Sequence, residues 1–209
     1  MDEGSRRVGS LLLRWSEDAP RPGKRDLAVD LAPAADRMAA WIADGGLLAA
    51  QALHPVAGLP PEQRRGLRLT AAGPAAALAG LVAAAIGFAR IAAALHPDDR
   101  EAFSAAMERI GGGAEVAVVD RMADLPTDHA NDYAFLGCGG TPPRPDLLGP
   151  LVHRLRPEGQ LVLFGLPRAA MRASFDDFSA RGLSLRAAGI DGDFAFLAGS
   201  LDHGHRIGA

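Results

Sequence analysis

The stretch that decides the fold is Leu67-Arg68-Leu69-Thr70-Ala71-Ala72-Gly73-Pro74-Ala75-Ala76, in which a short apolar run passes through a glycine into an alanine-rich run. Residues 67–70 have the length of a buried strand, and residues 74–86 are long enough for a helix. A glycine turn between such a strand and helix is where dinucleotide-binding domains carry Gly-x-Gly-x-x-Gly. Gly73 takes the middle position, Ala76 is an accepted replacement in the third, and Ala71 replaces the first.

Strands and helices alternate on both sides of this turn. Helices are predicted at residues 33–53 (interrupted by Gly45-Gly46), 74–86, 98–110 and 147–155, and strands at 8–15, 27–31, 67–70, 89–94, 116–119, 133–136 and 161–164. Such alternation implies a parallel sheet with helices on both faces. The sequence therefore predicts an α/β, Rossmann-like doubly wound fold, whose ligands bind at the carboxyl ends of the strands.

Composition excludes several other classes of protein. The chain has 209 residues, 48% of them hydrophobic, and a net charge of -3, which gives no electrostatic reason to expect nucleic acid as a partner. Lys24 is the single lysine and does not follow a glycine loop, so a phosphate-binding P-loop is excluded. Cys138 is the single cysteine, which excludes an internal disulfide and a multi-thiolate zinc site.

The apolar stretches do not have the pattern of membrane segments. The longest, residues 71–89, is mostly alanine and is interrupted by glycine and proline, which favours a buried helix over a membrane span. The first residues lack the apolar core of a signal peptide. We expect a cytoplasmic protein without membrane contact.

Several segments resemble the medium-chain (zinc-type alcohol) dehydrogenase superfamily. Residues 58–74 are similar to that family's approach to its nucleotide strand, and residues 151–166 to a later helix and strand that methyltransferases share. The segment Phe175-Asp176-Asp177-Phe178-Ser179-Ala180-Arg181-Gly182-Leu183-Ser184-Leu185-Arg186-Ala187-Ala188-Gly189 is more discriminating, because it resembles the helix and edge strand after the nicotinamide-side loop.

The resemblance also implies a domain organisation. Residues 19–31 look like the opening of the family's chaperonin-10-like catalytic domain, and the chain then passes almost directly to the helices before the nucleotide fold. The implied division is a short β remnant with a linking helix at residues 1–45 and a Rossmann-like nucleotide-binding domain at residues 46–209. Since no segment resembles the portion that carries the family's zinc ligands, the resemblance assigns no metal site. It implies NAD or NADP as the cofactor.

Candidate site residues follow from the turn and from the strand ends. The predicted cofactor-binding residues are Ala71, Gly73, Pro74, Ala76, His96, Cys138 and Gly139. His96 stands where an acid that binds the ribose is normally found, about 20 residues past the turn, and Asp98 and Asp99 come just after it. Cys138, His129 and Tyr133 are the weak candidates for catalysis, although Cys138 is also typical of a small buried thiol.

Four functions remain open from the sequence. The first is an NAD(P)-dependent oxidoreductase of small-molecule or secondary metabolism that works without zinc. The alternatives are a repurposed non-redox enzyme (a cyclase or isomerase, with no cofactor), an S-adenosylmethionine-dependent methyltransferase, and a non-catalytic partner. We also expect a homodimer, formed by pairing of the predicted edge strand Leu183–Arg186 with its copy.

Overall fold

The computed structural model describes residues 4–73, 75–126, 131–137, 150–166, 184–189 and 194–198. Its main feature is a seven-stranded sheet in the order β6-β5-β4-β7-β8-β9-β10. The strands are β4 (Arg68–Ala72), β5 (Arg90–Ala94), β6 (Glu115–Val119), β7 (Asn131–Gly137), β8 (Leu155–Leu166), β9 (Ser184–Gly189) and β10 (Phe194–Ala198). All neighbours pair in parallel except β9 and β10, which are antiparallel.

This strand order confirms the predicted fold class. The six parallel strands follow the order 3-2-1-4-5-6 of doubly wound sheets. In this order, successive strands are added on one side of the first strand and then, from the fourth strand, on its other side. Here that switch point lies between β4 and β7, so the carboxyl ends of these two strands frame the place where ligands bind in such folds.

Side chains of the central strands alternate between two buried layers. Leu69 and Ala71 of β4 belong to the larger core, which also contains residues of the helices α2, α4 and α5 described below. Ala72 of β4 and Leu136 of β7 belong to the second core, on the opposite face, together with Leu151, one of the helical residues 150–153. Because a strand directs successive side chains to opposite faces, these two cores show that the sheet is covered on both sides.

Five α-helices lie among the described residues before β6. They are α1 (Met38–Ala43), α2 (Gly46–Ala57), α3 (Pro61–Arg64), α4 (Ala76–Ile86) and α5 (Arg100–Ile110). The interruption predicted at Gly45-Gly46 separates α1 from α2. In α4 every residue except Ala85 is buried, since the helix lies between the sheet and its neighbours. This explains why its sequence is apolar all round rather than amphipathic.

The N-terminal residues form a separate three-stranded sheet in the order β1-β2-β3. Its strands are β1 (Ser5–Val8), β2 (Leu11–Arg14) and β3 (Leu27–Asp30). The strand predicted at residues 8–15 contains β2 but begins too early, because residues 9–10 form the turn of an antiparallel hairpin whose first arm, β1, was not predicted. Buried residues of β2 and β3 belong to the same core as those of β4. The division at residue 45 stays a prediction.

Two further predictions on the later strands need correction. The helix predicted at residues 147–155 runs too far, because helical structure ends at residue 153 and Leu155 already pairs with Asn131 as the start of β8. Residues 184–186 of the predicted edge strand Leu183–Arg186 belong to β9, which is not an edge strand, since it has β8 on one side and β10 on the other. Pairing of two copies through β9 would require β10 to leave; the homodimer itself stays a prediction.

A buried arginine holds the chain just before β8 in place. The Arg154 guanidinium donates hydrogen bonds to the backbone carbonyls of Pro150 (2.8 Å), Leu125 (3.1 Å) and Pro126 (3.1 Å). Arg154 as a whole residue is 7% exposed, and the burial of its guanidinium lowers the pKa of Arg154. The cation therefore satisfies three carbonyls that water reaches poorly.

Among the described helices, none combines the length and apolar character needed to cross a bilayer.

Candidate functional site

A cleft of about 510 Å³ lies at the switch point of the sheet. Its floor is formed where β4, β5 and β7 end, by Ala72, Gly73, Ala94, Leu136 and Gly137. The remaining described residues of its lining flank α1 or follow β5 and β6: Arg37, Asp44, Leu95, His96, Pro97, Asp99, Asp120 and Met122. This volume is within the range of small-molecule and cofactor sites in proteins, about 300–1,000 Å³.

Gly73 makes the turn at the centre of this cleft. Its φ of +82° lies in the left-handed region, which side chains with a Cβ rarely adopt. A Cβ on Gly73 would also overlap the carbonyl oxygen of Gly137 and would lie 3.0 Å from its carbonyl carbon. The glycine therefore lets the ends of β4 and β7 approach closely, and α4 begins three residues later at Ala76.

The other turn residues predicted to bind a cofactor have different positions. Ala71 and Ala76 are both 0% exposed and belong to the larger core, and neither is among the described residues that line the cleft. Pro74 lies outside the described residues. Within the described part of the turn, Gly73 is thus the predicted residue that the fold brings to the cleft.

His96 lies at the cleft, after the end of β5; its predicted role in binding a cofactor stays a prediction. Its backbone is extended, and its side chain accepts a hydrogen bond from the backbone N–H of Asp98 at the start of a short 3₁₀ helix, Pro97–Asp99. The imidazole is largely exposed and lies beside the Asp98 carboxylate, 3.5 Å from Nδ1 to Oδ2. The residue therefore forms a local cap at this strand end.

Asp99 is the buried acid of the cleft. A single oxygen, Oδ1, accepts hydrogen bonds from Arg37 Nε (2.9 Å), Arg37 Nη2 (2.6 Å) and Trp41 Nε1 (2.9 Å). The hydrogen bond and charge of Asp99 raise the pKa of Arg37. These contacts join α1 to the start of α5, so the N-terminal part of the chain supplies one wall of the cleft.

Sequence reasoning missed Arg37 and Trp41 as site residues. They precede Asp99 by 62 and 58 positions, so no local spacing relates them to it. The one available signal was an indole in an apolar stretch, since a buried Trp N–H needs an acceptor. Trp41 is 1% exposed and Asp99 is 8% exposed.

Carboxylates outnumber cations in the described lining. Asp44, Asp99 and Asp120 supply three carboxylates, whereas Arg37 supplies the one guanidinium. Asp120 follows β6 and forms an ion pair with Arg100, the first residue of α5. The cleft thus combines a negative end near β5 and β6 with an uncharged floor at Gly73 and Gly137.

Of the three catalytic candidates, Tyr133 is the one that the structure describes. Tyr133 pairs with Leu69, toward the amino end of β4, and its ring packs against Phe88 with the centroids 5.7 Å apart. It is therefore at the opposite end of the strands from the cleft. Cys138, His129 and Gly139 lie outside the described residues. In the ranges that the structure describes, no group of three or more His, Cys, Asp or Glu side chains is arranged to hold a metal.

Comparison with known proteins identifies similar folds. No protein-family model matches the chain, and no curated protein matches it. Benzyl alcohol dehydrogenase from Acinetobacter calcoaceticus is similar with a TM-score of 0.50 and 18% identity, over 87% of this chain and 45% of its own. L-idonate 5-dehydrogenase from Escherichia coli has a TM-score of 0.46 and 22% identity, over 81% of this chain and 44% of its own.

A methylase is similar as well. The ribosomal protein L11 methylase from Lactobacillus delbrueckii subsp. bulgaricus has a TM-score of 0.56 and 16% identity, over 86% of this chain and 89% of its own. This chain therefore spans less than half of each dehydrogenase but nearly all of the methylase. At such low identities the similarity establishes the fold alone. The chain has a Rossmann-like fold, similar to the folds of benzyl alcohol dehydrogenase and of the methylase.

Proposed function

We propose that this chain is the nicotinamide-dinucleotide-binding domain of an oxidoreductase-type protein that acts on a small molecule without zinc. The observation that carries the proposal is the cleft of about 510 Å³ at the switch point, with a left-handed glycine turn between β4 and α4. In doubly wound folds, dinucleotides bind across this crevice, with the pyrophosphate at the amino end of the first helix.

The residues of the cleft fit such a cofactor in three respects. Gly73 lines the cleft and makes the left-handed turn just before α4, where such folds hold the pyrophosphate. Carboxylate oxygens of Asp99 and Asp120 are acceptors of the kind that ribose hydroxyls require. The buried Arg37–Asp99–Trp41 contacts hold this end of the cleft in one geometry, so less ordering is needed on binding. When bound, the cofactor supplies hydride transfer, and the chain supplies binding and orientation.

The test is a titration of the whole chain with NADH, NADPH and S-adenosylmethionine, followed by calorimetry and by tryptophan fluorescence. Trp41 is a suitable reporter because its indole N–H bonds to Asp99, which lines the cleft. We expect saturable binding of a nicotinamide dinucleotide with a change in emission. The change should persist in Trp15→Phe and disappear in Trp41→Phe. If no nicotinamide form binds up to millimolar concentration, the proposal is wrong.

A second candidate function is methyl transfer from S-adenosylmethionine. It is favoured by the charges of the cleft, since three carboxylates and one guanidinium suit a nucleoside ligand that has a sulfonium and no phosphate. The similarity to the methylase, over 89% of that chain, agrees with this candidate at the level of fold. Binding of S-adenosylmethionine without binding of either dinucleotide would replace the first proposal by the second.

A further inference from the structure

The arginines around the negative end of the cleft are already held by carboxylates. Arg37 donates twice to Asp99, at 2.6 and 2.9 Å. Arg100 forms an ion pair with Asp120, which lines the cleft together with Met122. Of the three carboxylates in the described lining, Asp99 and Asp120 are therefore each paired with an arginine, and Asp44 is the third.

The same pairing continues one residue beyond Asp120. Arg121 donates two hydrogen bonds of 2.9 Å to Asp124, and this contact lowers the pKa of Asp124. Asp124 is not among the described residues that line the cleft. The segment after β6 thus contains two aspartates that are each paired with an arginine. Asp120, paired with Arg100, lines the cleft, whereas Asp124, paired with Arg121, does not.

This arrangement matters for the second phosphate of NADP. Sites that accept the ribose 2′-phosphate use a nearby arginine, whereas sites that take NAD present a carboxylate to the hydroxyl. A phosphate monoester adds a charge of about -1.5 to -2 near neutral pH. Besides Arg37, the charged groups that the described lining offers such a phosphate are the carboxylates of Asp44, Asp99 and Asp120. Arg37 and Arg100 could bind the phosphate only by leaving Asp99 and Asp120.

We propose that the cleft selects the dinucleotide without the 2′-phosphate, NAD(H), and that Asp120 sets this selection by its own charge and by holding Arg100. The inference rests on the proposed function, because it concerns which dinucleotide the same cleft takes. Since like charges repel and ion pairs must be broken, we expect NADH to bind at least about tenfold more tightly than NADPH at low ionic strength.

The experiment measures the affinities of the full chain for NADH and NADPH by calorimetry. Asp120→Asn removes one negative charge from the cleft and releases Arg100 for a phosphate. We expect this variant to narrow the NADH-over-NADPH preference by about threefold or more. Asp124→Asn is the matched control, because it makes the same chemical change and releases Arg121 at a site that does not line the cleft. Its preference should equal that of the unmodified chain.

A salt titration tests the same point without a variant, and therefore does not depend on whether Asp120→Asn folds. Raising the salt from about 20 mM to about 500 mM screens the repulsion, so the preference should narrow. Equal binding of both dinucleotides by the unmodified chain overturns the inference and leaves the proposed function standing. An equal effect of the two variants overturns the assignment to Asp120. Failure of both dinucleotides to bind overturns the proposed function and the inference with it.

Discussion

The turn at Gly73 provides the sharpest test of how the cleft is built. Replacing Gly73 by alanine places a Cβ on a residue with φ of +82°. For a residue with a Cβ, the left-handed conformation costs about 1–2 kcal/mol. The same Cβ would overlap the carbonyl oxygen of Gly137 and approach its Cα to 3.2 Å, so β7 must shift.

The expected loss of stability follows from these two contributions. Overpacking of this kind typically costs about 1–3 kcal/mol, because backbone atoms cannot rotate away as a flexible side chain does. Gly73→Ala should therefore lower the free energy of unfolding by about 2–5 kcal/mol. For a chain of this length, each kcal/mol corresponds to roughly 2–4 °C in Tm. We expect a fall in Tm of about 5–15 °C.

Gly87→Ala separates the two contributions. Gly87 ends α4 with φ of +99°, but a Cβ there meets nothing within 4 Å. This variant should lose only the conformational part, about 1–2 kcal/mol. Both variants gain the same small benefit from a less flexible unfolded chain, so that term cancels in the comparison.

The assay is urea and thermal unfolding followed by far-UV circular dichroism, with NADH affinity measured on the folded proteins. Gly73→Ala should be less stable than Gly87→Ala by about 1–3 kcal/mol. It should also bind NADH more weakly, since Gly73 lines the cleft and Gly87 is at the other end of α4. Equal destabilisation by the two substitutions would refute the close approach of β4 and β7.

Two further predictions concern stability. Arg154→Met leaves one buried and two partly buried carbonyls without their donor, so it should lower the free energy of unfolding in urea by about 2–4 kcal/mol. Arg109→Met, at an exposed ion pair, should cost less than about 1 kcal/mol, and similar losses would contradict the role of the buried Arg154. The Arg7 guanidinium and a backbone N–H lower the pKa of Asp26, so its stabilising contribution is present above the unfolded value near about 3.9 and is lost as the pH falls through the lower folded value. Asp26→Asn should therefore flatten the dependence of Tm on pH between about 5 and about 3, and parallel curves for the two proteins would contradict this.

The sheet could be predicted because its signals are local. The strand starting at residue 67 and the helix ending at Ile86 each have the length and apolar composition of a buried element, and Gly73 separates them. The errors concern element boundaries. The strand predicted at residues 8–15 runs across Gly9 and Ser10, where the hairpin turns. The helix predicted at residues 147–155 includes Leu155, the start of β8, because its position four residues after Leu151 also fits helical spacing.

The candidate site could be predicted only in part. Gly73 and His96 reach the cleft because each follows the end of a strand, and the carboxyl ends of parallel strands lie together. The same motif predicts Ala71 and Ala76, but both face the core, because the motif does not say which side chains point inward. Tyr133 is a candidate by its chemistry alone, and its position near the start of β7 puts it at the other end of the strands from the cleft.

The sequence by itself determined the alternation of strands and helices, the glycine between β4 and α4, and the lack of an acid at residue 96. These depend on periodicity and on local conformational preference, which act over a few residues. Only the tertiary structure decided that Asp99 is the buried acid of the cleft, bonded to Arg37 and Trp41 from α1. It also decided that β10 covers β9. Such pairings join distant residues through packing and hydrogen bonds, and no spacing along the chain encodes them.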